Sequence, residues 1–165
     1  MNSVKSLNEK FPWRTGRSNV FKNFLHLVFV TKYRKNVLTL EMLNKLNVIF
    51  LETCKQMDGE LMEFGGEEDH VHLLVNCPPK TAISNFVGKL KGKSSYILRK
   101  EHMPELKTKL WGSHLWSPSY CAVSCGGASL DVIKAYVENQ RKPPSDKAIG
   151  QFNRVTKKSG SLTRC

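Results

Sequence analysis

No stretch of this chain is apolar enough to cross a bilayer: its longest apolar runs, Val48–Leu51 and Val71–Val75, fall far below the roughly 20 residues a spanning helix needs. The opening "MNSVKSLNEKFPWRTGRS" lacks the apolar block that follows the basic residues of a secretory leader, so a cytoplasmic protein with no membrane partner is expected. Cysteine is scarce as well. The five present, Cys54, Cys77, Cys121, Cys125 and Cys165, are odd in number and form no CxxC, which favours free and mostly buried thiols over a disulfide framework. Cys121 and Cys125, spaced CxxxC, offer two ligands where a structural zinc site takes four. No internal repeat is visible, and 165 residues suit one ordinary domain with a core of its own.

Acidic residues are scarce in three segments and concentrated in one region between them. Residues 1–35 carry 8 basic and 1 acidic side chain, 80–109 carry 8 and 2, and 141–165 carry 7 and 1, whereas 36–79 carry 2 and 8. A formal net charge of +12 arranged in three basic segments favours a polyanionic partner, because each phosphate neutralised releases condensed counterions.

Periodicity orders the elements. Lys22–Thr31, rich in Val, Phe and Leu, reads as a first strand. Thr39 is placed to cap a helix with Leu40, Leu43, Leu46, Phe50 and Cys54 at helical spacing, ended by Asp58-Gly59. Glu60–Phe64 forms a second strand, Gly65-Gly66 and the following acids a solvated turn, and Val71–Asn76 a third strand stopped by Pro78-Pro79. Thr81 then caps a second helix with Ile83, Phe86, Val87, Leu90 and Ile97 as its apolar stripe. Gly88 and Gly92 inside it cost up to about 1 kcal/mol each relative to alanine, which implies a close backbone approach. Trp116–Ser124 is a fourth strand, Gly126-Gly127 break it, and Ser129 caps a third helix, Leu130–Gln140. The expected fold class is therefore α+β: a ferredoxin-like (RRM-like) βαββαβ antiparallel sheet with helices on one face, followed by a C-terminal helix that carries a tyrosine.

Two features carry chemistry. His70 and His72 lie two residues apart in the third strand, so both imidazoles share one face about 6.6 Å apart while Val71 and Leu73 face the core. The spacing lets both reach one cation, although ordinary hydrogen-bonded histidines fit the same pattern. Asp69 beside them suits an outer partner that orients a ring. In the last helix, Tyr136 and Gln140 stand at i and i+4, one turn apart on one side, where a phenol and a carboxamide suit a nucleophile and a further ligand.

Together these features resemble the HUH single-strand endonucleases and, more narrowly, the Y1 transposases of the IS200/IS605 type. The matching stretches are "HLVFVTKYRKNVL" (His26–Leu38), "DHVHLLVNCPPK" (Asp69–Lys80), "LKGKSS" (Leu90–Ser95), "LWSPSYCAVSCGG" (Leu115–Gly127) and "IKAYVENQ" (Ile133–Gln140), in family order. The resemblance implies an extension over residues 1–20, a Y1 transposase domain over 21–142 and a basic tail over 143–165. It implies His70, His72 and Gln140 as ligands of Mg²⁺ or Mn²⁺, and Tyr136 as the nucleophile that forms a 5′-phosphotyrosine during strand transfer. Softness alone would let two histidines take zinc, copper or nickel; oxygen ligands and phosphate favour the harder ions. The implied partners are single-stranded DNA with hairpins at the ends of an insertion sequence and a second copy in a homodimer. Lys32, Arg34, Lys35, Lys89, Lys91 and Lys93 are expected to contact DNA, with Tyr33, Trp111, Trp116 and Tyr120 as stacking candidates. A domesticated endonuclease acting on repeated hairpins and a non-catalytic RRM-like nucleic-acid binder are the competing functions.

Overall fold

The computed structural model describes residues 13–110 and 112–125, which lie within one compact unit, Asn8–Gly126. The expected tyrosine helix and the Gly126-Gly127 break lie outside the described residues.

A short antiparallel hairpin, β1 (Arg14–Thr15) and β2 (Val20–Phe21), precedes the main sheet. Then follow β3 (Phe24–Val30), α1 (Leu40–Gln56), β4 (Glu60–Gly66), β5 (His70–Asn76), α2 (Ile83–Glu101), α3 (Met103–Lys109) and β6 (Cys121–Ser124). The main sheet is antiparallel with order β4-β5-β3-β6, the ferredoxin-like plan that the sequence predicts.

The two central strands pair without interruption from Phe24 opposite Asn76 to Val30 opposite His70. Alternation then divides the sheet into two faces. One carries Leu25, Leu27 and Phe29 from β3 and Val71, Leu73 and Val75 from β5 into a core with Met42, Leu46 and Phe50 of α1 and Phe86, Val87, Leu90 and Leu98 of α2. At about 1.5–3 kcal/mol for each large apolar side chain taken from water, this face supplies most of the folding drive. Phe29 anchors it, meeting both Phe50 and Trp116 edge-on with ring centroids 6.0 Å apart. The opposite face carries His26, Val28 and Val30 beside His70, His72 and Leu74.

The β4–β5 pairing contains one irregularity. Leu61 faces Val75 and Glu63 faces Leu74, so Met62 is a surplus residue, a bulge. Beyond it, Phe64 opposes Leu73 on the core side and Gly65 opposes His72 on the other. Gly65 and Gly66, expected in a turn, therefore belong to the strand, because each has a neighbour that leaves no room for a side chain. A Cβ on Gly66 would sit 2.7 Å from Leu43 Cδ2, and one on Gly65 would sit 2.4 Å from His72 Nε2.

Thr39 caps α1 as expected, its hydroxyl accepting the Met42 N–H at 3.3 Å. Leu40, however, is 75% exposed. The buried stripe is Met42, Leu46, Ile49, Phe50 and Cys54, and at 3.6 residues per turn Leu40 falls roughly opposite Met42. The cap of α2 is Ala82 rather than Thr81, without a side-chain bond, and Leu98 rather than Ile97 ends its buried stripe. Among the described residues nothing comes within 4 Å of a Cβ at Gly88 or Gly92, so the expected close approach is not made there.

The fourth strand is shorter than expected because residues 117–119 give their carbonyls to a side chain instead of a ladder. Lys91 Nζ donates to the oxygens of Ser117, Pro118 and Ser119 at 2.6, 3.2 and 3.0 Å. Trp116 keeps one isolated bridge to Thr31. The helix α3 has no counterpart in the sequence reading; Pro104 stands in its first turn, where the missing N–H is not needed.

Candidate metal centre

The apolar residues of β3 and β5 fix the site before any polar group acts. With Val71 and Leu73 fully buried in the core, His70 and His72 are committed to the opposite face. His72 is half-buried, and its ring occupies the space that a side chain on Gly65 would fill. Glycine at that position is thus a steric requirement of the imidazole across the ladder.

His70 is buried and held by its neighbour. Its Nδ1 lies 2.7 Å from Asp69 Oδ1, so Asp69 takes the alternative role of an outer partner rather than that of a solvated turn residue. If Nδ1 carries the proton toward the carboxylate, Nε2 keeps its lone pair for a cation. Partial burial pushes the Asp69 carboxyl up, but hydrogen bonding and charge from His70, then Arg34, outweigh it and hold the group below the ordinary carboxylate range. Arg34 Nη2 lies 3.4 Å from Asp69 Oδ2.

The turn before β5 is tied down rather than solvated. Thr31 donates its N–H to Asp69 O at 2.9 Å and its hydroxyl to Lys35 O at 2.8 Å, while Val37 and Leu38 both donate N–H groups to Glu68 O at 2.9 Å. Ligand atoms of Glu67, Asp69 and His70 lie within 4.8 Å of one another, which makes this end of β5 the cation-compatible cluster among the described residues.

A third histidine stands on the same face. His26 lies on β3 between Leu74 and Val123, and its ring centroid is 6.0 Å from that of His72 at an interplanar angle of 64°. It is 2% exposed, and among the described residues neither ring nitrogen has a partner. Burial, followed by repulsion from His72, pulls its pKa down to about 4. The sequence reading passed over His26. Val28 faces His72 and His26 faces Leu74, so His26 is the diagonal neighbour of His72 on the same face, a relation that only the strand register reveals.

The basic side chains expected at DNA divide into two groups. Lys32, partly buried, and the exposed Tyr33, Arg34 and Lys35 form a loop in which Tyr33 and Arg34 both adopt left-handed backbone, with φ of 59° and 52°, and Tyr33 is 70% exposed. Lys32 Nζ lies 5.1 Å from the Tyr33 ring centroid. On α2, Lys89 is exposed, Lys93 donates to Gln56 Oε1 at 3.0 Å, and Lys91 holds the carbonyls described above. Of the stacking candidates, Trp116 is core, with its indole N–H on Ser94 Oγ at 3.0 Å, and Tyr120 is exposed. Trp111, Tyr136 and Gln140 lie outside the described residues. The four described cysteines are free as expected, but only Cys54 and Cys77 are buried, with Cys54 pushed up to about 12 by burial and then by Cys77; Cys125 is partly buried and Cys121 exposed.

A ferredoxin-like sheet with HxH on the face away from its helices is the frame of a small DNA-transposing enzyme, and comparison with known proteins agrees. The family model described as "Transposase IS200 like" matches residues 19–140, and the chain belongs to this Y1, HUH-type family. It is 37% identical over 127 residues to the ISDra2 transposase TnpA of Deinococcus radiodurans, spanning 77% of this chain and 90% of that protein. It is 33% identical over 115 residues to the transposase of insertion element IS200 from Salmonella typhimurium, covering 70% and 74% of the two chains. The crystal structure of a candidate transposase from Deinococcus radiodurans R1 superposes with a TM-score of 0.62 at 37% identity, over 77% of this chain and 97% of that one. No helix among the described residues is long and apolar enough to cross a membrane.

Proposed function

We propose that this transposase cuts and rejoins single-stranded DNA at the ends of an insertion sequence, with His70, His72 and Gln140 holding Mg²⁺ or Mn²⁺ and Tyr136 as nucleophile. One observation carries the reading: both imidazoles of β5 share the face away from the core, one ring seated over Gly65 and the other hydrogen-bonded to Asp69. The donor set fits a divalent ion, because Asp69 can fix the proton of His70 on Nδ1 and leave Nε2 as donor. When bound, the cation polarises the scissile phosphate and offsets the roughly 4 kcal/mol that separates a phenol of pKa about 10 from its phenolate at neutral pH.

The steps that belong to the chain follow from these groups. Tyr136 Oη forms a bond to phosphorus as the P–O3′ bond breaks; the phenol loses its proton and the departing oxygen gains one as a 3′-hydroxyl. The phosphodiester energy stays in the tyrosine ester, so an incoming 3′-hydroxyl reverses the step and joins a new strand without hydrolysis. The Lys32–Lys35 loop, with Tyr33 projecting from it, supplies cations for the backbone and a ring for an unstacked base. Hairpins at the element ends and a second copy of the chain are the proposed partners.

The test incubates the full chain with labelled single-stranded element ends and Mn²⁺. A covalent protein–DNA adduct on a denaturing gel is expected, lost in Tyr136→Phe with DNA binding retained, and lost in His70→Ala. Cutting by Tyr136→Phe would remove the nucleophile assignment, and binding without any cutting by the unsubstituted chain would favour the RRM-like binder.

A further inference from the structure

His26 is the one buried imidazole of the described residues whose two ring nitrogens both lack a partner, and it lies edge-on to His72. Packing alone does not account for it. A buried polar group without a hydrogen bond costs about 1–3 kcal/mol, and leucine or phenylalanine would fill the same place between Val123 and Leu74 without that penalty. Its same-face neighbours on the strand show the alternative: Val28 and Val30 fill their positions with carbon only. Retaining a donor and an acceptor here makes sense if something polar arrives at this face when the protein works. The group directly beside it is His72, which Gly65 leaves room to stand over the strand.

We infer that His26 is a positioning residue of the cation site, whose ring nitrogens hydrogen-bond the oxygen, from water or from a DNA phosphate, that accompanies the ion at His72. This rests on the reading of His70 and His72 as ligands and extends it to a third side chain from another strand. The edge-on contact also limits the rotation of the His72 ring, so one residue serves both the ligand and the oxygen.

The variants are His26→Leu, close in volume but without polar atoms, and His26→Gln, which restores a donor and an acceptor. Mn²⁺ affinity is measured on full-length protein by calorimetry, alone and with a single-stranded oligonucleotide, alongside circular dichroism and thermal melting. His26→Leu is expected to melt at or above the temperature of the unsubstituted chain yet bind Mn²⁺ 10- to 100-fold more weakly, with partial recovery in His26→Gln, the range typical of outer partners of metal ligands. Weakening without DNA identifies water as the partner, and weakening only with DNA identifies phosphate. Unchanged Mn²⁺ affinity in folded His26→Leu, with and without DNA, overturns the inference. If His26→Leu fails to fold, His26→Gln decides: affinity reduced by less than the His70→Ala loss supports the role, and affinity as poor as in His70→Ala overturns it. If His70→Ala itself binds Mn²⁺ as tightly as the unsubstituted chain, the ligand assignment is wrong and the inference falls with it, whereas loss in His70→Ala alone leaves the assignment standing without His26.

Discussion

Replacing Gly65 by alanine adds one methyl group and should separate the centre from the fold. The new Cβ would lie 2.4 Å from His72 Nε2 and 2.5 Å from its Cε1. Ordinary carbon contacts begin near 3.5 Å, so the ring must retreat by about 1 Å. The imidazole ends a side chain with two torsions, so the ring is displaced against His26 while the backbone is strained little. Alanine is also favoured over glycine inside a strand by about 0.5–1 kcal/mol, so melting should hold steady or rise. Ligand geometry has no such tolerance. A displacement of this size should cost about 10- to 100-fold in Mn²⁺ affinity, and the covalent adduct should fall accordingly at limiting Mn²⁺. Gly66→Ala is the control, because its Cβ meets Leu43 Cδ2 at 2.7 Å and Val71 Cγ1 at 2.9 Å on the core side. It should lose about 1–3 kcal/mol of stability through overpacking. The assay compares Mn²⁺ titration, melting and adduct yield for both variants. A folded Gly65→Ala protein with unaltered Mn²⁺ affinity and adduct yield would refute the placement of His72 at the cation.

Asp69→Asn keeps the shape of the carboxylate but weakens its claim on the His70 proton, and should reduce Mn²⁺ affinity about tenfold while leaving DNA binding intact by gel shift. In metal-free protein, His26 has a folded pKa near 4 against 6.5 when unfolded, so the unfolded chain binds more protons between these values. Stability from this group is complete above about pH 6.5 and declines by about 3 kcal/mol as the pH falls to 4; denaturant titrations of His26→Leu should show a flatter profile. Ser94→Ala leaves the buried Trp116 indole N–H without its acceptor and should cost about 1–2 kcal/mol in denaturant melts, with Mn²⁺ affinity unchanged.

The element order and the histidine pair were legible because both rest on local periods. A period of two separates Val71 and Leu73 from His70 and His72 whatever the partners, and a period of 3.6 marks the buried sides of α1 and α2. What escaped was set by long-range contact. Gly65 reads as a turn residue until β4 is laid against β5, and His26 is one polar residue in an apolar strand until the register sets it diagonally across from His72. Trp116–Tyr120 has strand-forming residues, yet the Lys91 ammonium captures its carbonyls. Leu40 satisfied a loose spacing that Met42 and Leu46 satisfy better once the core is known.

Met62 shows how little chain length separates a working face from a blocked one. Counted back from Leu61 opposite Val75 with no residue to spare, Phe64 would stand across from His72 and Gly65 across from Val71. A benzyl group would then occupy the imidazole's space, and the core would lose a ring where it has one. Met62 keeps the imidazole's place open only by standing outside the ladder; deleting it should leave Glu63 opposite Leu74, Phe64 opposite Leu73 and Gly65 opposite His72, whereas a methionine drawn into the pairing would damage the chemistry and the hydrophobic interior at one stroke.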